Sequence, residues 1–294
     1  MAGNTHFSSF HHSSDRMNVP STHCFSRLIA DSGNVLGSRL EAELLLAHLL
    51  GRDRVWLYAH GDESCPSAIE VQLHELVDRR KAGEPIAYLI GYREFYGREF
   101  RLTADVLIPR PETELLIEQA LSLNLSNQAE VLDIGTGSGC IGITLSLERP
   151  QWQVTATDLS AEALAVAESN RIRLKADGLQ LLHGSLLRPL KGRRFDLIVS
   201  NPPYVAANDP HLEQGDLRFE PRIALSAQNN GLQLIDKIIR QSPEHLHAGG
   251  WLILEHGFDQ AELVRASLSQ AGFSQVQSRR DLAGIERISF GTKR

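Results

Sequence analysis

Short apolar runs alternate with longer amphipathic segments from about residue 109 to the end of the chain. The short runs predict buried strands, and the longer segments, apolar at every third or fourth position, predict helices. The predicted strands are residues 131–134, 152–157, 180–183, 195–200, 251–256, 275–279 and 285–290, and the predicted helices are residues 111–121, 140–147, 161–174, 232–246 and 260–271. This alternation predicts an α/β fold: a doubly wound, mostly parallel sheet of about seven strands that ends in an antiparallel pair.

From Leu36 to about Gly91 the patterning is helical. The predicted helices of this region are residues 38–50, 67–81 and 85–89. Gly51 and Gly91 follow two of these segments, and glycine commonly ends a helix because it adopts positive φ without strain. We predict a small helical domain over residues 27–92. It is too small for a catalytic pocket of its own, so it is either a recognition domain or a simple appendage.

The remaining residues connect or precede these two domains. Residues 93–102 alternate around Tyr96-Gly97, which predicts a β-hairpin within a linker at 93–108, and the second domain covers 109–294. Residues 1–26 are rich in Ser, His and Asn, which predicts a disordered leader, with Met17 as a candidate natural start. The leader's histidines are spaced too irregularly to predict a metal site: His6, His11, His12 and His23.

Composition narrows the possible functions. The 294 residues are 42% hydrophobic and 22% charged, and the formal net charge of -6 argues against broad, sequence-independent binding to nucleic acid. Cys24, Cys65 and Cys140 lie far apart, which predicts neither a disulfide framework nor a zinc site and fits a reducing cytoplasm. The sequence shows no apolar run long enough to cross a bilayer and no apolar core of a signal peptide. We therefore expect a soluble, cytoplasmic protein without membrane contact.

A glycine-rich loop between a strand and a helix carries the cofactor signal. Gly135-Thr136-Gly137-Ser138-Gly139 follows the strand at 131–134 and leads into the helix at 140–147. Glycines permit a tight turn and let a ligand lie against the backbone beside a helix N-terminus. Asp158 ends the next strand, about 20 residues later, where an acid can bind both ribose hydroxyls. The order of strand, glycines, helix, strand and acid predicts a ligand that contains a ribose.

Two classes of ribose cofactor fit this loop. Residues 137–142 have the GxGxxG spacing of dinucleotide-binding folds, so a nicotinamide cofactor is one alternative. Asp133, two residues before the first glycine, suits an ammonium group better than a pyrophosphate, whose negative charge it would oppose. S-adenosylmethionine has that ammonium group, and its methyl group is already activated on a sulfonium. Cys140 is interpreted as a small buried hydrophobe at the helix start rather than as a nucleophile.

The sequence Asn201-Pro202-Pro203-Tyr204 follows the strand at 195–200, at the edge of the sheet where ligands bind. Prolines contribute no N–H to a ladder, which leaves nearby carbonyl oxygens free, and the Asn201 side chain adds another acceptor. Together they can hold a planar NH2 group by its two hydrogens, with the Tyr204 ring against its face. An ordinary turn is the alternative, because Asn-Pro commonly starts one.

Three other features lie near this predicted site. Arg110 and Glu112 are interpreted as a structural ion pair rather than as cofactor contacts. Glu255 and His256, at the end of another strand, are candidates for proton transfer, although supporting hydrogen bonds are favoured. Residues 205–231 have little regular patterning, and such a long loop in a compact domain is typical of a lid or a binding loop.

In combination these motifs resemble the PrmC/HemK family of class I methyltransferases. The resemblance covers about residues 36–290 and rests on Asp133 to Gly139, Asp158, Asn201 to Tyr204, the preceding Ile108-Pro109-Arg110-Pro111-Glu112-Thr113-Glu114 and the following Arg218-Phe219-Glu220-Pro221. It implies a Rossmann-like fold that transfers a methyl group from S-adenosylmethionine to the side-chain amide nitrogen (N5) of a glutamine. That glutamine lies in the Gly-Gly-Gln loop of class I peptide chain release factors, which the helical domain would recognise.

The resemblance also implies roles by position. Asn201 and Pro202 would accept hydrogen bonds from the substrate amide, and Tyr204 would pack on its plane; these three are the implied catalytic residues, and Pro203 joins them in binding substrate. The implied cofactor-binding residues are Asp133, Gly135, Thr136, Gly137, Ser138, Gly139, Asp158, Leu186 and Asn201. Ser185 and Leu186 replace the acidic and aromatic residues that related enzymes often place near the adenine, so Leu186 is left to supply apolar packing.

The sequence alone also allows other functions. A DNA adenine or cytosine amino-methyltransferase shares the Asn201 to Tyr204 motif, but it predicts a basic target-recognition region that neither the charge balance nor the short helical domain supplies. A non-catalytic binding protein with the same fold would be favoured by a degenerate tetrapeptide. We expect a monomer that needs no metal and makes no direct contact with nucleic acid.

Overall fold

The structure, a computed structural model, describes residues 20–228 and 230–294. It divides into two compact units, of which the first ends at Ala82 and the second is Gly83–Arg294. Met17 and three of the leader's histidines (His6, His11 and His12) lie outside the described residues. The sequence predicts a leader up to residue 26, but residues 20–26 form a strand and the start of a helix.

The described part of the first unit contains two short antiparallel strands and four helices. In chain order they are β1 (Pro20–Cys24), α1 (Phe25–Leu36), α2 (Arg39–Leu50), α3 (Arg54–Ala59), β2 (Ser64–Pro66) and α4 (Ser67–Lys81). The side chains of Ser38 and Asp53 accept hydrogen bonds from backbone N–H groups of α2 and α3, which caps both helices. The helical prediction is confirmed for α2 and α4. It missed α1, which begins among residues assigned to the leader, and α3, which is too short to show periodicity.

The second unit is built around a seven-stranded sheet in the order β12-β13-β11-β8-β5-β6-β7. Its elements are α5 (Ile86–Ile90), β3 (Tyr92–Phe95), β4 (Arg98–Arg101), α6 (Glu114–Ser122), β5 (Glu130–Ile134), α7 (Cys140–Glu148), β6 (Gln153–Asp158), α8 (Ala161–Leu174), β7 (Leu179–His183), β8 (Phe195–Ser200), β9 (Val205–Ala206), α9 (Arg222–Leu225), β10 (Ser226–Ala227), α10 (Gln233–His245), β11 (Leu246–Glu255), α11 (Ala261–Gln270), β12 (Phe273–Arg280) and β13 (Glu286–Lys293). Strand β13 is antiparallel to both neighbours, and the other pairs in this sheet are parallel. The predicted doubly wound, mostly parallel sheet is confirmed.

Helices cover both faces of this sheet. Successive side chains of a strand point to opposite faces, and in β5 Val131 belongs to a core cluster with residues of α6 and α7, whereas Leu132 packs with residues of α10 and α11. A strand buried on both faces reads as a continuous apolar run, which is why these strands were recognisable in the sequence. In residues 20–228 and 230–294, no helix combines the length and apolarity needed to cross a membrane.

The predicted β-hairpin is present as β3 and β4, but it is more than a linker. Phe95 and Phe100 are 1% and 0% exposed, with ring centroids 6.0 Å apart in an edge-on contact. Both belong to the same core cluster as Val131. The hairpin is therefore part of the second unit's core. Burial of such rings is among the largest apolar contributions that a residue can make to stability.

Strand register lines up the carboxyl ends of four parallel strands. Ile134 of β5 pairs with Thr157 of β6 on one side and with Ser200 of β8 on the other, and Ser200 in turn pairs with Leu254 of β11. The Ser200 hydroxyl also donates to the Ile134 carbonyl, at 2.7 Å. The residues that follow these positions therefore meet at one edge of the sheet, where doubly wound folds bind ligands.

Candidate active site

A pocket opens at this carboxyl edge of the sheet. Its wall includes Val106 and Leu107, the loop after β5, the ends of β6 and β7, and the segment after β8. The predicted site residues found in the wall are Gly135, Gly137, Asp158, Leu186, Asn201, Pro202 and Pro203. The structure thus brings the glycine loop, the acid and most of the tetrapeptide to one cavity.

The glycine loop presents bare backbone to the pocket. Gly135 and Gly137 have φ of 73° and 54°, a conformation that favours glycine, and a Cβ built on either would meet no heavy atom within 4 Å. The loop is held to the neighbouring strand because the N–H groups of Gly135 and Thr136 both donate to the Thr157 carbonyl, at 2.8 and 3.0 Å. This open cradle fits a ligand that lies directly on the main chain.

Asp158 fastens the other side of the cradle. Its Oδ2 accepts from the Gly137 N–H at 2.8 Å, and its Oδ1 accepts from the Ser160 N–H at 2.9 Å. The carboxylate is therefore oriented at the pocket wall by two backbone donors. Its binding of a ribose stays a prediction.

Asp133 supports the loop from behind rather than from the pocket wall. It is fully buried, and its Oδ2 accepts from the Thr136 hydroxyl at 2.6 Å and from the Gly142 N–H at 3.0 Å. Burial, and to a smaller extent the charge of Asp158, raises the pKa of Asp133 to about 7 against the opposing effect of these bonds. Its Oδ1 is buried without a hydrogen-bond partner in the described chain, and this oxygen is the feature that fits the predicted ammonium contact.

The other loop residues face the protein interior. The Ser138 carbonyl accepts from the Asn170 side chain at 2.9 Å, and a Cβ on Gly139 would lie 2.7 Å from Ile143 of α7. The Ser138 side chain is buried, and the lack of a side chain at Gly139 lets the loop lie close to α7. Contacts of these residues to a cofactor stay predictions. Leu186, with φ of 50°, lines the pocket beside Ser185, where it can supply apolar packing.

A hydrogen-bonded network fixes the tetrapeptide after β8. The Asn201 Nδ2 donates to the Thr113 hydroxyl at 3.1 Å, and that hydroxyl donates to Oε2 of Glu255 at 2.7 Å. The Tyr204 hydroxyl donates to the other oxygen of the same carboxylate, Oε1, at 3.2 Å. Burial raises the pKa of Tyr204, and burial also raises the pKa of Glu255 to about 7 against the two hydrogen bonds it accepts.

Glu255 and His256 both make hydrogen bonds of the supporting kind favoured from sequence. His256 is fully buried, its Nδ1 lies 2.9 Å from the Gly257 carbonyl and its Nε2 lies 2.8 Å from the Ser289 hydroxyl. A carbonyl only accepts, so Nδ1 carries the proton and Nε2 accepts from Ser289. Burial lowers the pKa of His256, so the ring is neutral and already fully bonded.

The proposed ion pair of Arg110 with Glu112 is wrong: Arg110 pairs with Glu220, whose side chain is buried. Glu220 also accepts from the Ile108 N–H at 3.0 Å. It therefore ties the segment before α6 to residues 205–231. The latter include two 3-10 turns at Pro210–Glu213 and Gly215–Phe219 together with β9, α9 and β10, and Ile223 of α9 is in the pocket wall.

Sequence reasoning missed two residues that hold the site together. Thr113 was noted only as part of a motif, and Gln260 only as a helix start. The Gln260 Nε2 donates to the carbonyls of Tyr204 and Asn230, at 3.0 and 2.9 Å, while its Oε1 accepts from the Gly257 N–H at 2.9 Å. Both are polar side chains next to the end of a strand or helix. Such side chains need hydrogen-bond partners when they are buried, and this was the signal that could have identified them.

The environment of Cys140 fits packing rather than nucleophilic attack. Burial raises the pKa of the Cys140 thiol to about 12, as expected for a protonated packing residue rather than a nucleophile. Across residues 20–228 and 230–294, no group of three or more His, Cys, Asp or Glu side chains is arranged to hold a metal ion.

Two family models and several curated proteins match the chain. The PrmC N-terminal domain matches residues 23–91, and the methyltransferase small domain matches residues 111–215. A release factor glutamine methyltransferase of Bordetella pertussis is 54% identical over 266 residues, covering 90% of this chain and 97% of its own length. The protein of the same name from Pseudomonas aeruginosa is 45% identical over 254 residues, covering 86% and 92%.

Solved structures with the same fold are more distant in sequence. A methyltransferase from Pyrococcus furiosus superposes with a TM-score of 0.52 at 18% identity, covering 75% of this chain and 97% of its own. The hMettl16 catalytic domain gives a TM-score of 0.55 at 19% identity, with coverages of 74% and 81%. At such identities the likeness concerns the fold alone, which is that of class I methyltransferases.

Proposed function

Because this chain belongs to the release factor glutamine methyltransferase family, we propose that it methylates the side-chain amide nitrogen (N5) of the glutamine in the Gly-Gly-Gln loop of class I peptide chain release factors. The observation that carries the proposal is that Asn201, Pro202 and Pro203 line the same pocket as Gly135, Gly137 and Asp158. Oxygen atoms that can accept from an NH2 group thus lie in the same pocket as the loop that would hold the cofactor.

S-adenosylmethionine is the methyl donor of this enzyme, and it supplies a methyl carbon activated by a sulfonium. The open backbone at Gly135 and Gly137 and the unpaired Oδ1 of Asp133 fit a cofactor with an amino-acid part. Asp158 would hold its ribose, and Leu186 would pack against its base. The cofactor-binding roles of Thr136, Ser138 and Gly139 are proposed through the backbone, because their side-chain positions face the interior.

Asn201 and Pro202 would act directly on the substrate amide. In the described chain, no hydrogen bond is donated to the Asn201 Oδ1 or to the Pro202 carbonyl, so both oxygens can accept. An amide nitrogen is a weak nucleophile because its lone pair is delocalised. Two acceptors on its hydrogens favour a geometry in which the lone pair points at the methyl carbon, and they stabilise the positive charge that develops on nitrogen. The released proton passes to water, so the protein need not provide a general base.

The test is a methyl-transfer assay with purified protein, intact release factor and cofactor labelled in the methyl group. We expect label on the glutamine amide of the loop and none on a release factor whose loop glutamine is changed to alanine. Asn201→Ala removes one acceptor of the developing charge, so kcat should fall roughly 10²–10³-fold while cofactor affinity changes little. Label that never reaches the glutamine refutes the substrate, and unchanged turnover in Asn201→Ala refutes the role of Asn201.

The same assay compares release factor with DNA. The DNA amino-methyltransferase alternative finds no support in the matched families, whose N-terminal model is that of PrmC at residues 23–91. We propose that this helical region, predicted as residues 27–92, recognises the release factor, and that 109–294 carry the methyl transfer with the hairpin at 93–108. The enzyme would work in the cytoplasm as a monomer, without direct contact with nucleic acid, and size-exclusion chromatography with light scattering would test its assembly.

A further inference from the structure

The Asn201 side chain can present either of two groups to a substrate, and only one of them suits methyl transfer. Its carbonyl oxygen accepts a hydrogen bond from an NH2 group, whereas its own NH2 group would oppose one, donor against donor. The two ends of the amide have nearly the same size and shape. Something in the protein must therefore select between two orientations that differ by a half-turn about one bond.

The hydrogen bonds around Thr113 make that selection. A threonine hydroxyl has a single proton, and here it is donated to Oε2 of Glu255 at 2.7 Å. The hydroxyl can therefore only accept from Asn201, so the atom of Asn201 that lies 3.1 Å away must be the donor, Nδ2. The carbonyl oxygen is left for the substrate.

Glu255 sets the direction of this chain of bonds because an ionised carboxylate only accepts. It is 1% exposed, and it accepts from Thr113 on one oxygen and from the Tyr204 hydroxyl on the other, at 3.2 Å. One carboxylate thus orients both side chains of the tetrapeptide that are proposed to act on substrate.

We propose that Thr113 and Glu255 are positioning residues for the transfer, which hold the Asn201 amide with its carbonyl oxygen directed to the substrate nitrogen. This inference rests on the proposed function. Neither residue touches the reacting atoms; both act through Asn201, and Glu255 also through Tyr204.

The substitution Glu255→Gln keeps the shape of the side chain and makes one of its two ends a donor. Thr113 or Tyr204 must then face an NH2 group. Where Thr113 faces it, the Thr113 proton turns to Asn201, and the Asn201 amide rotates to present NH2 to the substrate. One acceptor is lost, so at pH 8 we expect kcat to fall about 100-fold, with KM for release factor and cofactor affinity nearly unchanged. This pH lies above the pKa of about 7 to which burial raises the Glu255 carboxyl.

Thr113→Val removes the hydroxyl and keeps the shape of the side chain. Asn201 then loses the bond that selects its orientation, and a net hydrogen bond contributes about 1 kcal/mol, so kcat should fall roughly fivefold. Thr113→Ser restores a hydroxyl and should recover most of that loss. The matched control is Thr144→Val, the same exchange at a buried hydroxyl of α7 that has no hydrogen-bond partner among the described residues, and it should leave kcat unchanged.

A double variant distinguishes positioning of Asn201 from general support of the fold, because losses in kcat that act through the same hydrogen bonds are not additive. With Thr113→Val in place, Glu255 can no longer direct Asn201, so Glu255→Gln should cost much less in kcat than it does alone. Multiplicative losses in the double variant, or a Thr113→Val enzyme within twofold of the parent, would overturn the inference. If Glu255→Gln fails to fold, the three threonine variants still decide it, because all of them keep the carboxylate. A parent enzyme that never labels the glutamine overturns the proposed function instead.

Discussion

Glu220 ties together two walls of the pocket, and we expect its replacement by glutamine to loosen both. The side chain is 0% exposed, pairs with Arg110 and accepts from the Ile108 N–H at 3.0 Å. It joins the irregular segment that contains the wall residue Leu107 to the segment that leads into α9, whose Ile223 is also in the wall. Glutamine keeps the volume but has one acceptor oxygen, so its NH2 group must face a donor.

The magnitude follows from the burial of the two partners. Removing one member of a fully buried ion pair costs about 3–5 kcal/mol because the other charge is left uncompensated. The Arg110 side chain is 31% exposed and can recover part of its hydration, which reduces the expected loss to about 2–3 kcal/mol. For a unit of this size that corresponds to a melting temperature lower by roughly 5–10 °C.

Urea unfolding and calorimetry of the cofactor-free protein measure this loss, and titration calorimetry should show weaker binding of S-adenosylmethionine. Glu213→Gln is the matched control. Glu213 lies in the same segment and pairs with Arg222, but the two side chains are 72% and 49% exposed, so the change should cost less than about 0.5 kcal/mol. Equal stability losses in the two variants, or an unaltered cofactor affinity in Glu220→Gln, would refute the reasoning.

Two further predictions concern a close contact and a buried charge. A Cβ at Gly231 would lie 1.8 Å from the Tyr204 carbonyl oxygen, so Gly231→Ala should lower methyl transfer more than tenfold. Gly192 is the control, because its φ is similar (81° against 82°) and a Cβ there would meet nothing within 4 Å. Gly192→Ala should therefore cost only about 1–2 kcal/mol of stability. Steady-state kinetics that do not distinguish these variants would contradict the contact. The pKa of Asp133 is raised to about 7 from 3.8, so the unfolded chain releases this proton first as pH rises. Its contribution to stability is therefore largest at acid pH and is lost between about pH 4 and 7. Relative to Asp133→Asn, the parent's free energy of unfolding should fall by on the order of 3–4 kcal/mol across that range, and a difference that is constant with pH would contradict the raised pKa.

The strand and helix pattern was predictable because it depends on spacing along the chain. Strand β8 and helix α8 occupy the predicted residues 195–200 and 161–174. Strand β11 begins at Leu246, five positions before the expected start, because Leu246 already pairs with Phe195 of β8. An irregular stretch with two glycines and no apolar signal separates this pair from Trp251. Boundaries were least reliable where the local pattern was weak.

The hairpin shows what spacing cannot reveal. Alternation around Tyr96-Gly97 identified its two strands, which β3 and β4 confirm. The burial of Phe95 and Phe100 depends on the apolar surface of the sheet that receives them, and that surface is formed by residues distant in the chain. A linker and a piece of the core therefore look alike in sequence.

The residues predicted to form the site were found from the sequence alone, because the glycine loop, Asp158 and Asn201 to Tyr204 each lie at the end of a strand that its apolar run locates. Their orientation was decided only by tertiary structure. Asn201 is directed by Thr113, 88 residues away, and Thr113 by Glu255, 142 residues away. Local pattern reports which residues share a strand or a turn, whereas the direction of a hydrogen bond depends on which donors and acceptors the fold brings within about 3 Å of each other. For this reason the sequence predicts an acceptor for an NH2 group, and the folded chain shows which hydrogen bonds hold the side chain that carries it.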